Sequence, residues 1–233
     1  MIARLIGEAA HVAVGAASPI PATACELLAA SGHRLRVSLL HKRKGNPFSE
    51  GSRELFDLAG QGRIDVFFLG GAQIDGEANV NLVRAEGRRF PGSFGSAFMY
   101  FTARRTILFR EEHSRRVLVP KVEFVSAPGS SAPGVWRRGG PQALLTGKAL
   151  FAWQPGPRRF RLESVHPGSS LEEVREGTGF EFDCGEAVAQ TAPPSPAELE
   201  LLRGPVADAI ARNYPAFAAR VWVSRSPPSA ASA

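Results

Sequence analysis

The run Val66-Phe67-Phe68-Leu69 is apolar at every position and ends in Gly70-Gly71. A strand with one wet face alternates apolar and polar residues. A strand without that alternation is covered on both sides, which is the situation of a parallel sheet flanked by helices. The surrounding sequence fits this. Strands are predicted at Val12–Val14, Leu35–Leu40, Val80–Val83, Thr106–Phe109 and Lys121–Val125, and the first of them alternate with helices at Pro21–Ala30 and Glu50–Ala59. Pro21 suits a first helical turn, and Gly32, Gly60 and Gly62 follow the two helix ends. The fold class expected is α/β, a single open, mainly parallel β-sheet domain with helices packed on it.

Further along, Ala149–Trp153 and Arg158–Val165 read as a hairpin turning at Pro155-Gly156-Pro157, and Leu171–Glu176 as a short helix. Leu199, Leu202, Val206 and Ile210 recur at helical spacing, so one helix is expected over Pro196–Tyr214 with Ser195 as its cap. The Gly-, Pro- and Ser-rich stretch Ala127–Gly140 reads as a surface loop or a lid. The domain is expected to cover residues 1–223, with a disordered tail over 224–233.

Composition excludes several classes. No apolar run nears the length of about 20 residues that crosses a bilayer, and the N-terminus lacks the order of a secretory signal, so no membrane partner and a cytoplasmic location are expected. Cys25 and Cys184 are the two cysteines and lie at no metal-ligand spacing; reduced thiols and no metal are expected, with Cys25 buried in an apolar helix. The net charge of +6 is spread over short pairs such as Arg88-Arg89, Arg104-Arg105 and Arg115-Arg116. Neither zinc-finger spacing nor an aromatic ribonucleoprotein motif accompanies them, which argues against nucleic acid as a partner.

Several strings are more specific. Val66 through Gly70-Gly71-Ala72-Gln73-Ile74-Asp75, followed by Asn79-Val80-Asn81, resembles the strand-turn segment of class I coenzyme A transferase β subunits, in the glutaconate CoA-transferase branch. The resemblance continues in order through Arg89-Phe90-Pro91-Gly92-Ser93-Phe94-Gly95-Ser96-Ala97, which matches that branch's Gly-Ser-Gly-Gly-Ala loop. Val12-Ala13-Val14-Gly15 with Ser18-Pro19 is similar to its N-terminal strand and turn, and His166-Pro167-Gly168, Val174 and Thr178-Gly179-Phe180 to its closing segment. The resemblance spans roughly residues 1–203. It implies a class I CoA transferase-like fold, a coenzyme A thioester as substrate, no tightly bound cofactor, and an α-type CoA transferase subunit as partner in a heterodimer or heterotetramer. The chain alone is then expected to be inactive.

Within that frame Gly92, Ser93, Phe94, Gly95, Ser96 and Ala97 are the candidate substrate-binding wall, because glycines at a strand end let backbone amides approach a thioester oxygen that gains charge. In isolation the same string would read as a tight turn before a helix. Gln73 has two open roles, one toward a backbone group and one toward the acyl group. Asp75, Asn79 and Asn81 are expected to brace the turn. Lys42, Arg43 and Lys44 follow a strand, so they meet CoA phosphates or an acyl carboxylate, or simply form a solvated loop. His113 and His166 have no partner visible in sequence and are assigned structural or surface roles.

The family's catalytic glutamate, which attacks acyl-CoA and then carries it as a glutamyl thioester, is implied at the end of the strand Leu35–Leu40. Ser38 occupies that place. A hydroxyl without an adjacent base cannot take over the role. Glu50, in Ser49-Glu50-Gly51-Ser52, is the alternative carboxylate, although a first-turn glutamate also suits a helix start. Three functions therefore stand: CoA transfer between carboxylic acids; hydrolysis or a decarboxylase/lyase step on the thioester; and a non-catalytic subunit that shapes the partner's site.

Overall fold

The computed structural model describes residues 1–40 and 48–222. They fall into two compact units, residues 1–47 with 193–233, and residues 48–192. Lys42, Arg43, Lys44 and the tail 224–233 lie outside the described residues.

The first unit opens with α1 (Ile2–Ile6), β1 (His11–Val14), α2 (Pro19–Ala30) and β2 (Arg36–Leu39). Strands β1 and β2 pair in parallel, with His11 opposite Arg36 and Ala13 opposite Ser38. Helix α2 carries prolines in its first turn, where their missing N–H costs nothing, and buries Ala22, Ala24, Cys25, Leu27 and Leu28.

The second unit comprises α3 (Ser52–Gly60), β3 (Val66–Leu69), β4 (Gln73–Ile74), β5 (Val80–Asn81), β6 (Arg84–Ala85), β7 (Arg88–Arg89), α4 (Ser96–Thr102), β8 (Arg105–Arg110), β9 (Pro141–Thr146), β10 (Ala149–Gln154), β11 (Arg159–Val165), α5 (Leu171–Gly177) and β12 (Asp183–Gln190). Its main sheet runs β12-β11-β10-β9-β8-β3. β3, β8 and β9 are parallel, β9-β10-β11 antiparallel, and β12 again parallel to β11. All four residues of β3 are buried, as its unbroken apolar run requires. An aromatic core sits at the other end of the sheet, where Phe151 meets Phe160, Phe180 and Phe182 at centroid distances of 6.3, 6.5 and 5.2 Å.

The chain then returns to the first unit as α6 (Pro196–Arg203), α7 (Pro205–Asn213) and α8 (Pro215–Trp222), with α7 packed on α2. Ser195 caps α6 in a full capping box with Glu198. The architecture is the expected α/β fold with mainly parallel pairing, but three local expectations change. The single helix over Pro196–Tyr214 is broken before Pro205, whose ring has no N–H to continue the ladder. The strand expected over Val80–Val83 stops at Asn81, because Asn81 Oδ1 accepts the amides of Val83 and Arg84 and bends the chain. Lys121–Val125 forms no strand: the amides of Val122 and Glu123 donate to Asp75 and Gln73 side chains instead of to a neighbouring strand.

Candidate functional site

In the second unit the turn after β3 is built almost entirely by polar side chains. Asp75, 2% exposed, accepts the amides of Glu77 and Asn79 at 3.1 and 3.0 Å through Oδ1, and Asn79 Nδ2 and the Val122 amide at 3.2 and 3.3 Å through Oδ2. Asn79 Oδ1 accepts the Gly129 amide, and Asn81 Nδ2 donates to Gln73 Oε1 at 2.8 Å and to the Arg84 carbonyl. The bracing role expected of Asp75, Asn79 and Asn81 is what they perform. Gln73 is buried in the same lattice; its Nε2 donates to Glu123 Oε1 at 2.9 Å and its Oε1 also accepts the Glu123 amide at 3.0 Å. Sequence reasoning gave Glu123 no role. Its carboxyl is held below the usual carboxylate range by the Glu86 amide first and by Gln73 second.

The segment Gly92–Ala97 turns out of the β6–β7 hairpin into α4. Gly92 has φ +109° and Phe94 φ +48°, so the loop takes two left-handed steps before the helix. Gly95 is needed for a different reason: a Cβ there would lie 2.1 Å from Phe56 Cζ. The amides of Ser93, Phe94 and Gly95 donate to no acceptor among the described residues, whereas the Ser96 amide closes on the Ser93 carbonyl at 2.9 Å. Consecutive free amides around a left-handed residue form a concavity suited to an anionic oxygen. Phe94 is 77% exposed and rests on Phe56 at 5.4 Å. Beneath, the Tyr100 hydroxyl of α4 donates to the Ala78 carbonyl at 3.0 Å and ties the helix to the braced turn; burial pushes this phenol's pKa up.

In the first unit Ser38 is fully buried, and its Oγ lies 2.7 Å from His11 Nε2. An imidazole therefore stands beside the hydroxyl, the condition that the sequence left open. The signal lay in the register: with β1 and β2 parallel and Ala13 opposite Ser38, His11 falls two residues earlier on the same face. Glu50 lies just before α3, its side chain 61% exposed and paired with Arg53 at 3.0 Å. Cys25 is buried and its thiol is pushed up to about 12 by burial, which leaves it inert.

His113 and His166 are structural. His113 Nδ1 meets Thr146 Oγ1 at 2.7 Å and its Nε2 faces the Val174 carbonyl at 3.1 Å; His166 Nδ1 meets Thr191 Oγ1 at 2.7 Å and its Nε2 faces the Thr146 carbonyl at 3.1 Å. Burial, the larger effect, lowers both imidazole pKa values, against the carbonyl contacts that favour the charged ring. The unfolded chain therefore binds protons first as pH falls through about 6.5, and stability drops from there downward. The urea midpoint is expected to hold from pH 8 to 7 and to fall below it, with a shallower fall in H113Q/H166Q. A midpoint that rises on acidification would contradict this.

Comparison with known proteins agrees with the fold. Residues 2–177 match the family model described as Coenzyme A transferase. The chain is 33% identical over 153 residues to the β subunit of 3-oxoadipate CoA-transferase from Pseudomonas knackmussii, covering 61% of this chain and 58% of that protein. It is 35% identical over 150 residues to the β subunit of glutaconate CoA-transferase from Acidaminococcus fermentans, covering 59% and 55%. The matches thus span a little over half the length of these curated relatives. Among solved structures, the decarboxylase AibA/AibB superposes with a TM-score of 0.71 at 27% identity over 90% of this chain and 94% of that one. Glutaconate coenzyme A-transferase from Acidaminococcus fermentans superposes with a TM-score of 0.74 at 24% identity, over 87% and 90%, a likeness of fold. No described helix is long and apolar enough to cross a membrane. With the family model matched over residues 2–177, most of the chain, the chain belongs to the coenzyme A transferase family.

Proposed function

We propose that this chain is the β-type subunit of an enzyme acting on acyl-CoA thioesters, with transfer of CoA between carboxylic acids as its reaction. Residues 1–223 form its domain, an α-type subunit completes the site in a heterodimer or heterotetramer, and the complex works in the cytoplasm without a tightly bound cofactor. The observation that carries the reading is the run of free amides at Ser93, Phe94 and Gly95 in a chain of this family. Such amides stabilise the oxyanion that forms when a thioester carbonyl is attacked. Gly92, Ser96 and Ala97 shape the same wall. Neither Ser38 nor Glu50 suits the attacking carboxylate, one being a buried hydroxyl and the other an exposed, ion-paired residue, so the partner subunit supplies it.

The buried Ser38 also favours a second reading, hydrolysis or decarboxylation of the thioester in the same pocket, and the likeness to the decarboxylase AibA/AibB supports it. Co-expression with an α-type chain and assay of an acyl-CoA panel separates the readings. Acceptor-dependent exchange is expected from the complex and no turnover from this chain alone. Free CoA or carbon dioxide released without an acceptor would replace transfer by the second reading. Thioester binding without any turnover would leave a non-catalytic subunit.

A further inference from the structure

A cavity of about 880 Å³ opens on the second unit beside the β6–β7 hairpin, and Arg84, Arg88 and Arg89 line it together with Glu123 and Phe124. That volume lies within the range of small-molecule sites. The hairpin holds its arginines firmly. Its two-residue loop, Glu86-Gly87, has φ of 51° and 72°, the backbone of a turn whose twist matches that of the strands. Arg84 stands directly opposite Arg89 in the pairing, an arrangement that costs stability when both are cations with no anion between them. Among the described residues none of the three guanidinium groups has a carboxylate within 4.0 Å. Glu123 is the one acid in the cavity; its oxygens accept Gln73 Nε2 and the Glu86 amide, and its charge faces Arg84. Phe124 is 43% exposed, with the Arg84 guanidinium 6.0 Å from its ring centroid.

Three arginines against one carboxylate leave the cavity net positive, which matches a ligand with several phosphate oxygens that arginine takes in pairs. An exposed aromatic face next to them matches a flat heterocycle. A single carboxylate would use one of the three. The hairpin also runs through Phe90 and Pro91 directly into the amide-bearing loop at Ser93–Gly95, so one continuous segment presents both features. We propose that this cavity holds the phosphate-bearing nucleotide end of the coenzyme A thioester, with Arg84, Arg88 and Arg89 on the phosphates and Phe124 against the base. This deepens the proposed function and rests on it for the identity of the ligand.

The test measures binding to the full chain by calorimetry at fixed low salt, using adenosine 3′-phosphate 5′-diphosphate, pantetheine and glutarate as separate probes. The nucleotide is expected to bind the wild-type chain, and R88Q/R89Q to weaken it by about tenfold or more, the loss of one charge-assisted hydrogen bond. R88K/R89K should retain part of the affinity, and R158Q, an exposed arginine on the β10–β11 turn, all of it. Pantetheine binding should not change in R88Q/R89Q. The proposal is overturned if the wild-type chain does not bind the nucleotide, if R88Q/R89Q binds it as tightly, or if glutarate shows the arginine dependence instead. In the active complex, an unchanged KM for acyl-CoA in R88Q/R89Q would also overturn it while leaving the proposed reaction intact. Arginine-dependent nucleotide binding in a complex that turns over no acyl-CoA would sustain the phosphate site and remove the proposed reaction.

Discussion

Replacing Asp75 with alanine is expected to destabilise the chain by about 3 kcal/mol, since it leaves four buried or part-buried donors without their acceptor. The carboxylate takes three backbone amides, those of Glu77, Asn79 and Val122, and the Asn79 side-chain amide, from a position 2% exposed. The damage should spread to the amide-bearing loop through one contact: the turn shaped by Asp75 presents the Ala78 carbonyl to Tyr100, and Tyr100 anchors the helix that begins at Ser96. Asp75→Asn is expected to be intermediate, because it preserves shape but turns one acceptor into a donor facing N–H groups. Urea denaturation at pH 7.5 reads the stability, and kcat/KM of the co-expressed complex reads the loop. A midpoint shift worth less than about 0.5 kcal/mol, the level of an ordinary surface substitution, would show that the turn holds its shape without Asp75.

Much of this was legible in sequence, and what was missed has identifiable causes. β3 was readable because a run of four apolar residues between Asp65 and Gly70 has few other uses, and the β10–β11 hairpin because Pro155-Gly156-Pro157 punctuates two strand-like runs. β12 was not readable. Its residues Asp183–Gln190 are nearly all partly or fully exposed and do not alternate, so tertiary pairing with β11 defines the strand and local pattern does not. Lys121–Val125 failed for the converse reason: apolar, β-branched content was present, but side chains 47 and 50 residues away took the backbone amides. At the candidate site, the loop Gly92–Ala97 was picked out through motif order. His11 was not, because its meaning depends on which strand lies beside β1, information that no local window contains. Arg84 and Arg89 were visible only as charge, and their position opposite one another emerged with the hairpin register.

The second large effect concerns the attacking group. If the reaction passes through a glutamyl thioester, incubating the complex with acyl-CoA and then borohydride should abolish activity, because the thioester is reduced and its carboxylate lost. Peptide mass mapping is expected to place the reduced residue in the α-type partner. Ser38 cannot carry it: a hydroxyl yields an ester, and this one is fully buried against His11, 2.7 Å away, where it joins β1 to β2. Ser38→Ala should therefore lower stability by about 1–2 kcal/mol, by removing the buried contact to His11, while turnover stays within about threefold, under 1 kcal/mol of barrier. A fall in turnover of a thousandfold or more, with an acyl ester trapped on Ser38, would instead make Ser38 and His11 a nucleophile–base pair and hydrolysis the reaction. A reduced residue at Glu50 would return the chemistry to this chain, and would require the exchange of its Arg53 ion pair for a place against substrate. Those outcomes are distinguishable because a nucleophilic Ser38 would keep its 2.7 Å contact with His11, which takes the proton, but would have to become accessible to the thioester, whereas a strand tie stays fully buried.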